Sequence, residues 1–215
     1  MFEFPKSLQN YQREPSATDL SAAAVTPDTR PSLQTARLWL RPFDLADADR
    51  FETLIDDPEI AINTRLPVHP LPAGSAANWI DAHLDLWISG RAVIFAICQT
   101  PLDQPLDPPQ QRLPIIGTIG LEISIDDHRG ELGYWLGRAY WSQGLASEAA
   151  AAVIDYGLDH LALNKITAHC LATNYASRRV LEKVGFKQEG HQRDHIRHWG
   201  RYHDLISWGL LYGDR

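Results

Sequence analysis

The chain has 215 residues, of which 44% are apolar and 22% charged, the balance of a globular fold long enough to bury one continuous core. Its 27 acidic against 20 basic side chains leave a formal charge of −7. That charge argues against non-specific binding to nucleic acid or to an anionic membrane, and it is compatible with an amine substrate. No apolar run approaches the roughly 20 residues that span a bilayer. The opening Met1-Phe2-Glu3-Phe4-Pro5, with an early acid and a proline, does not read as a secretory signal. The expected compartment is the cytoplasm, with Cys98 and Cys170 as buried, reduced thiols.

Residues 1–31, rich in Ser, Thr, Ala, Pro and Gln, predict a partly disordered N-terminal extension ahead of a single domain over 32–215. Ala36–Pro42 alternates and is the first strand candidate. Asp44 then caps a helix carrying Leu45, Ala48, Phe51 and Leu54, which Asp57-Pro58 ends. After a proline-rich loop over Pro67–Gly74, Ser75 opens a second helix with Trp79, Ile80, His83 and Trp87 on one stripe and Gly90 as its stop. Ala92–Cys98 and Ile115–Ile125 read as the arms of a hairpin whose connection, Thr100–Pro114, is a Pro/Gln-rich insertion. Glu131–Leu136 is a further strand.

Gly144–Leu161 predicts a helix apolar around most of its circumference, and therefore packed on more than one side. Lys165–Thr173 is a strand and Ala176–Val184 a short amphipathic helix ended by Gly185. Phe186–Glu189 and Asp204–Tyr212 are the last strands. This order predicts one α/β domain with a largely antiparallel front half and a strand–helix–strand crossover in the middle.

Two segments carry candidate chemistry. In Glu131–Ala149 (ELGYWLGRAYWSQGLASEA) a strand runs through a turn with small residues at Gly144 and Ala146 straight into a helix. The unpaired amides and positive dipole end of such a helix start suit a phosphate or pyrophosphate; a plain strand–helix junction reads equally well from the residues alone. In Asn174–Phe186 (NYASRRVLEKVGF) Asn174 caps the following helix, and Ser177 shares the stripe of Val180, Leu181 and Val184. Ser177 is either a helix serine bonded to its own backbone or a proton donor to a leaving group.

Together these stretches, with TARLWLRP, IIGTIGL and Asp204 in its apolar strand, resemble the GNAT acetyltransferase superfamily and within it the RimJ/RimL-like branch, from about Leu33 to Leu211. The resemblance implies a mixed, mostly antiparallel twisted sheet of six to seven strands, splayed in the middle, with helices on both faces. It also implies acetyl-CoA as cosubstrate, with pyrophosphate contacts from the Gln143, Gly144, Leu145, Ala146 and Ser147 backbone. Asn174 meets the pantetheine arm or an ordered water, and Ser177 lies near the thioester sulfur. Trp141 stands where the wider superfamily has Gln or Arg, a place this branch often fills with an aromatic residue.

The implied reaction is direct attack of a primary amine on the thioester in a ternary complex. Glu131 is the expected base, acting directly or through water, with burial raising its pKa toward the operating pH; the alternative is a solvated glutamate at a strand start. Backbone amides around Leu136 are placed to stabilise the oxyanion. The departing thiolate, with a pKa of roughly 8.5, needs only Ser177 or water as donor. Tyr134 is a second donor, facing away from Glu131 by strand alternation.

Of Arg178, Arg179 and Lys183, one, assigned as Arg179, is expected to meet the 3′-phosphate; a solvated face is the other reading. His191, His195, His198 and His203 match no zinc pattern and read as a polar hairpin lip over the acceptor site, so no metal is expected. Trp39, Trp79 and Trp87 belong to the core or to the acceptor cleft. The acceptor is a protein N-terminal amine, a polyamine, amino sugar or antibiotic, or absent altogether if the chain only senses acetyl-CoA. A monomer or a homodimer is expected, with neither nucleic acid nor membrane as partner.

Overall fold

The computed structural model describes residues 30–64, 71–101 and 113–215. Residues 1–29 of the N-terminal extension, half of the proline-rich loop and most of the hairpin insertion lie outside the described residues.

Among the described residues eight strands form one sheet: β1 (Leu33–Gln34), β2 (Leu38–Arg41), β3 (Ala92–Gln99), β4 (Ile115–Ser124), β5 (Arg129–Leu136), β6 (Lys165–Leu171), β7 (Lys187–His198) and β8 (Arg201–Leu211). Their spatial order is β1-β2-β3-β4-β5-β6-β8-β7. Each neighbouring pair is antiparallel except β5 and β6, which run parallel. Among the described residues the α-helices are α1 (Ala48–Ile55), α2 (Pro58–Asn63), α3 (Ser75–Ile88), α4 (Leu145–Asp155) and α5 (Tyr175–Lys183). Among the described residues no helix is long and apolar enough to cross a membrane.

Strand alternation divides the apolar side chains between the two faces. On one face Leu121, Leu132 and Ile166 pack with Ala149, Val153 and Ile154 of α4 and Leu181 of α5. On the other, Ala96, Ile115 and Trp135 pack with Phe51 and Ile55 of α1, Ile60 of α2 and Trp79 of α3. Helix α4 is the crossover between the parallel strands, which is why buried residues occupy much of its circumference. Its end continues as a π-helical turn over Tyr156–His160, where a side chain on Gly157 would come within 2.7 Å of Leu121 Cδ1. Glycine there lets the helix end lie directly on the sheet.

Three features depart from the expected elements. The residue pair Asp57-Pro58 ends α1 and also starts α2: Asp57 Oδ1 accepts the Glu59 N–H at 2.8 Å and proline occupies the first turn. The two-residue β1 adds an eighth strand to the expected six to seven. The last two strands form one long hairpin through Trp199 and Gly200, both left-handed at φ 47° and 77°, rather than two short strands separated by a loop.

Candidate active site

The parallel pair β5 and β6 is in register for only three positions: Arg129 with Lys165, Gly130 with Ile166 and Glu131 with Thr167. Beyond them β5 continues to Leu136 and β6 to Leu171 without pairing, so the sheet splays. A cavity of about 180 Å³ fills the gap. Its walls come from both faces, with Tyr134, Ala146, Ser147, Asn174 and Ser177 on the α4/α5 side and Ile60, Asn63, Thr64 and Trp135 on the α2 side. The Gly137 N–H bonds the Ile116 carbonyl of β4 at 2.8 Å. By alternation the amide and carbonyl of Leu136 therefore face away from β4, toward the gap.

The turn before α4 is bent by two left-handed residues, Ser142 (φ 60°) and Gly144 (φ 78°). Gly144 is the N-cap and supplies no side-chain acceptor. The first intrahelical bond runs from the Glu148 N–H to the Gly144 carbonyl at 3.1 Å, so the amides of Leu145, Ala146 and Ser147 carry the positive helix end. The Leu145 side chain is buried, which leaves only its backbone for a ligand, whereas Ala146 and Ser147 line the cavity.

Long-range bonds hold this turn in place. The Glu148 carboxylate accepts from the Thr35 hydroxyl (2.6 Å), the Arg37 N–H (2.8 Å) and Arg37 Nε (2.7 Å). Arg37 Nη1 reaches the Gln143 carbonyl at 3.0 Å. These bonds hold the Glu148 carboxyl below its ordinary value, outweighing the upward push of burial. The Gln143 amide folds back to the Ala139 carbonyl at 2.9 Å. The Trp141 indole N–H donates to the Leu136 carbonyl at 2.7 Å, so the aromatic at this place ties the turn to the splayed strand.

Across the cavity, Asn174 caps α5 as expected, its Oδ1 accepting the Ser177 N–H at 3.0 Å. The Ser177 hydroxyl is not spent on its own backbone but shares a 2.9 Å hydrogen bond with the Tyr134 hydroxyl. Burial pushes the Tyr134 phenol well up, so it stays protonated and able to donate. Arg178 folds over the Tyr175 ring. Arg179, assigned from the sequence to the cofactor, is exposed and lines neither groove beside α4. Lys183, one turn further, lines a second groove with Arg37, Glu148, Asp155 and Arg215.

Glu131 lies on the other face, at the apex of the splay, and its Oε1 is 2.9 Å from His169 Nδ1. The expected upward pKa shift is corrected here. Burial does push the Glu131 carboxyl up, but the hydrogen bond and charge of His169 outweigh it and hold the carboxyl below its ordinary value. The neighbour of Glu131 that the sequence does not reveal is His169. Its signal is the parallel register: Glu131 opposite Thr167 puts His169, two residues on, over the same face.

The histidines near the C-terminus do separate work. His191 Nε2 pairs with Asp204 at 2.7 Å, and buried His198 donates from Nε2 to the Ala61 carbonyl at 3.1 Å, pinning the β7–β8 hairpin tip to α2. Among the described residues no group of three or more His, Cys, Asp or Glu side chains is arranged to hold a metal. Trp79 is buried in the α1–α3 core with Trp39 against it, while Trp135 and Trp141 line the cavity. Cys98 and Cys170 are buried free thiols, and burial pushes Cys98 up to about 11.

Residues 37–187 match the acetyltransferase (GNAT) domain family. An uncharacterized N-acetyltransferase, p20, of Bacillus licheniformis is 35% identical over 182 residues, spanning 84% of this chain and 96% of that protein. The [ribosomal protein uS5]-alanine N-acetyltransferase of Escherichia coli K12 is 26% identical over 108 residues, half of this chain and 56% of the relative. Among solved structures, the ribosomal L7/L12 α-N-protein acetyltransferase RimL in complex with coenzyme A superposes with a TM-score of 0.70 at 18% identity, covering 82% of this chain and 95% of that one.

Proposed function

The chain belongs to the GNAT family of acetyl-CoA-dependent N-acetyltransferases, and on that premise we propose that it acetylates the N-terminal amine of a protein by direct attack in a ternary complex. The observation that carries the reading is the cavity at the splay, with an uncapped helix start and the Tyr134–Ser177 hydroxyl pair on its wall; Glu131 stands at the apex on the opposite face, where it lines a separate groove. A thioester entering along α4 and an amine arriving from the α1–α3 face meet in that gap without a covalent enzyme intermediate. The acceptor class follows the uS5-alanine and L7/L12 enzymes among the similar proteins.

In this reading the amides of Gln143, Gly144, Leu145, Ala146 and Ser147 cradle the pyrophosphate. Asn174, with its Oδ1 in the cap, offers its amide NH₂ to the pantetheine arm. The Leu136 amide, turned toward the gap, meets the oxyanion. The Glu131 carboxylate drives deprotonation of the amine. Ser177, fed by the Tyr134 hydroxyl, protonates the thiolate. Lys183, rather than exposed Arg179, is the cation better placed for the 3′-phosphate.

The test is thiol release from acetyl-CoA with a panel of peptides bearing free N-termini, set beside polyamines and amino sugars. Turnover confined to peptides is expected. Turnover confined to small amines overturns the acceptor, and failure to bind CoA overturns the whole reading.

A further inference from the structure

An indole N–H only donates, so the 2.7 Å contact from Trp141 Nε1 to the Leu136 carbonyl has one direction and no tautomer to choose. Its two ends belong to different parts of the site. Leu136 closes β5 at the splay, and Trp141 stands directly before the bent turn that opens α4. The peptide between Leu136 and Gly137 is thereby held from both sides. Its N–H bonds the Ile116 carbonyl of β4 at 2.8 Å, and its carbonyl accepts from the indole. With that carbonyl occupied, the amide is the polar group that Leu136 still presents to the gap.

Between these two ends the chain has little freedom. A 3-10 turn over Arg138–Tyr140 follows β5. It is closed by bonds from the Tyr140 N–H to the Gly137 carbonyl at 2.9 Å and from the Trp141 N–H to the Arg138 carbonyl at 3.2 Å. The Gln143 side chain reaches back to the Ala139 carbonyl at 2.9 Å. Left-handed Ser142 and Gly144 then bend the chain into α4. On its exposed side the turn is tied to the segment before β2, by Arg37 on the Gln143 carbonyl at 3.0 Å. On the cavity side Trp141 ties it to β5. The Trp141 side chain lines the cavity yet the residue keeps 38% of its exposure, so a phenyl ring in its place removes the N–H at little cost in core packing.

We infer that Trp141 is a positioning residue, which sets the spacing between the turn that anchors the pyrophosphate and the Leu136 amide that meets the thioester carbonyl; this rests on the acetyltransferase reading above. Acetyl-CoA is gripped at both places at once, and the pantetheine arm that joins them has a fixed number of bonds. A reacting atom misplaced by about 1 Å can cost about 10²-fold in rate. The spacing therefore bears on the chemical step more than on the grip. Arg37 and Trp141 divide the work: one holds the turn for binding, the other registers it against the reacting group.

Trp141→Phe keeps a ring and loses the N–H. Thiol release is measured with a peptide bearing an N-terminal alanine, first with acetyl-CoA and then with S-acetylpantetheine, which carries the thioester but no pyrophosphate. With acetyl-CoA the variant is expected to lose about tenfold in kcat, with the CoA dissociation constant within about twofold and the melting temperature unchanged. With S-acetylpantetheine, which the turn does not hold, the loss in kcat/KM should stay below about threefold. A second measurement needs no acceptor. In ¹³C spectra of bound acetyl-CoA labelled at the thioester carbonyl, the wild type should move the resonance downfield through the Leu136 amide, and Trp141→Phe should move it less. Absent CoA binding overturns the acetyltransferase reading. With binding intact, equal losses for the two thioesters, a loss of CoA affinity in place of kcat, or a carbonyl shift equal to that of wild type overturns the role of Trp141.

Discussion

Helices α4 and α5 both begin at the cavity, and their first turns are finished in opposite ways. Asn174 closes α5 with its own side chain, accepting the Ser177 N–H. Gly144 leaves α4 open, with no side-chain acceptor and with small residues behind it. An N-cap of the asparagine type stabilises a helix by about 1 kcal/mol. At α4 that stabilisation is absent from the protein's own chain, and the turn is held instead from outside, through Arg37 and Glu148. The difference separates two uses of one element. A capped start positions side chains, here the Ser177 hydroxyl against Tyr134, whereas an uncapped one presents backbone amides to an anion.

The largest break in that contrast comes from filling the open end. Ala146→Glu sets a carboxylate in the first turn of α4, where the helix dipole favours it, and inside the cavity, where an anionic ligand does not. Calorimetry should find CoA affinity down by about 100-fold or more, while the melting temperature holds or rises. A parallel loss of both would mean that the turn is merely structural.

Removing the outside support has the next largest effect. Arg37→Ala frees the Gln143 carbonyl and unpairs Glu148; about tenfold weaker CoA binding is expected, with kcat at saturating cosubstrate changed less than about twofold. Glu148→Gln probes the same tether by pH. Because the folded carboxyl lies below the ordinary 4.5, its contribution is complete above that value and fades as pH falls through the depressed one. The stability gap between wild type and Glu148→Gln in denaturant titrations should therefore close on acidification; a gap that widened would contradict the tether.

Smaller effects fall on the caps themselves. Gly144→Ala forces a side chain into the left-handed region at about 1 kcal/mol, read as a melting temperature lower by several degrees. Asn174→Ala should lower stability by a similar amount, about 1 kcal/mol, but weaken CoA by no more than about threefold, since its main task is inside α5. If the two variants affected CoA binding equally, the distinction between open and closed starts would fail.

The two helix starts are the legible half because their parts are local. Glu131–Ala149 and Asn174–Phe186 each hold strand end, turn and helix start in one contiguous run, and period and cap chemistry are read directly from such runs. Parts that depend on partners distant in sequence were not legible. His169 gains meaning only from a parallel register that brings β6 beside β5. The downward direction of the Glu131 pKa has the same origin, since burial is visible in the sequence and its imidazole neighbour is not. Helix α2 is hidden differently: Asp57-Pro58 is both a stop for one helix and a start for the next, and the residues alone do not show that both apply. Arg179 and Lys183 share one helix, and only the tilt of α5 against α4 tells which of them reaches the groove.

The strap that shapes the turn joins residues 111 positions apart in the chain. Contacts of such separation form after local ones, because closing a long loop is entropically slow to be rewarded. During refolding, helicity should therefore return before the first residues dock, and affinity for the nucleotide should appear only with that docking. Competence to hold the cosubstrate thus doubles as a sign that the segment before β2 has found the central helix α4.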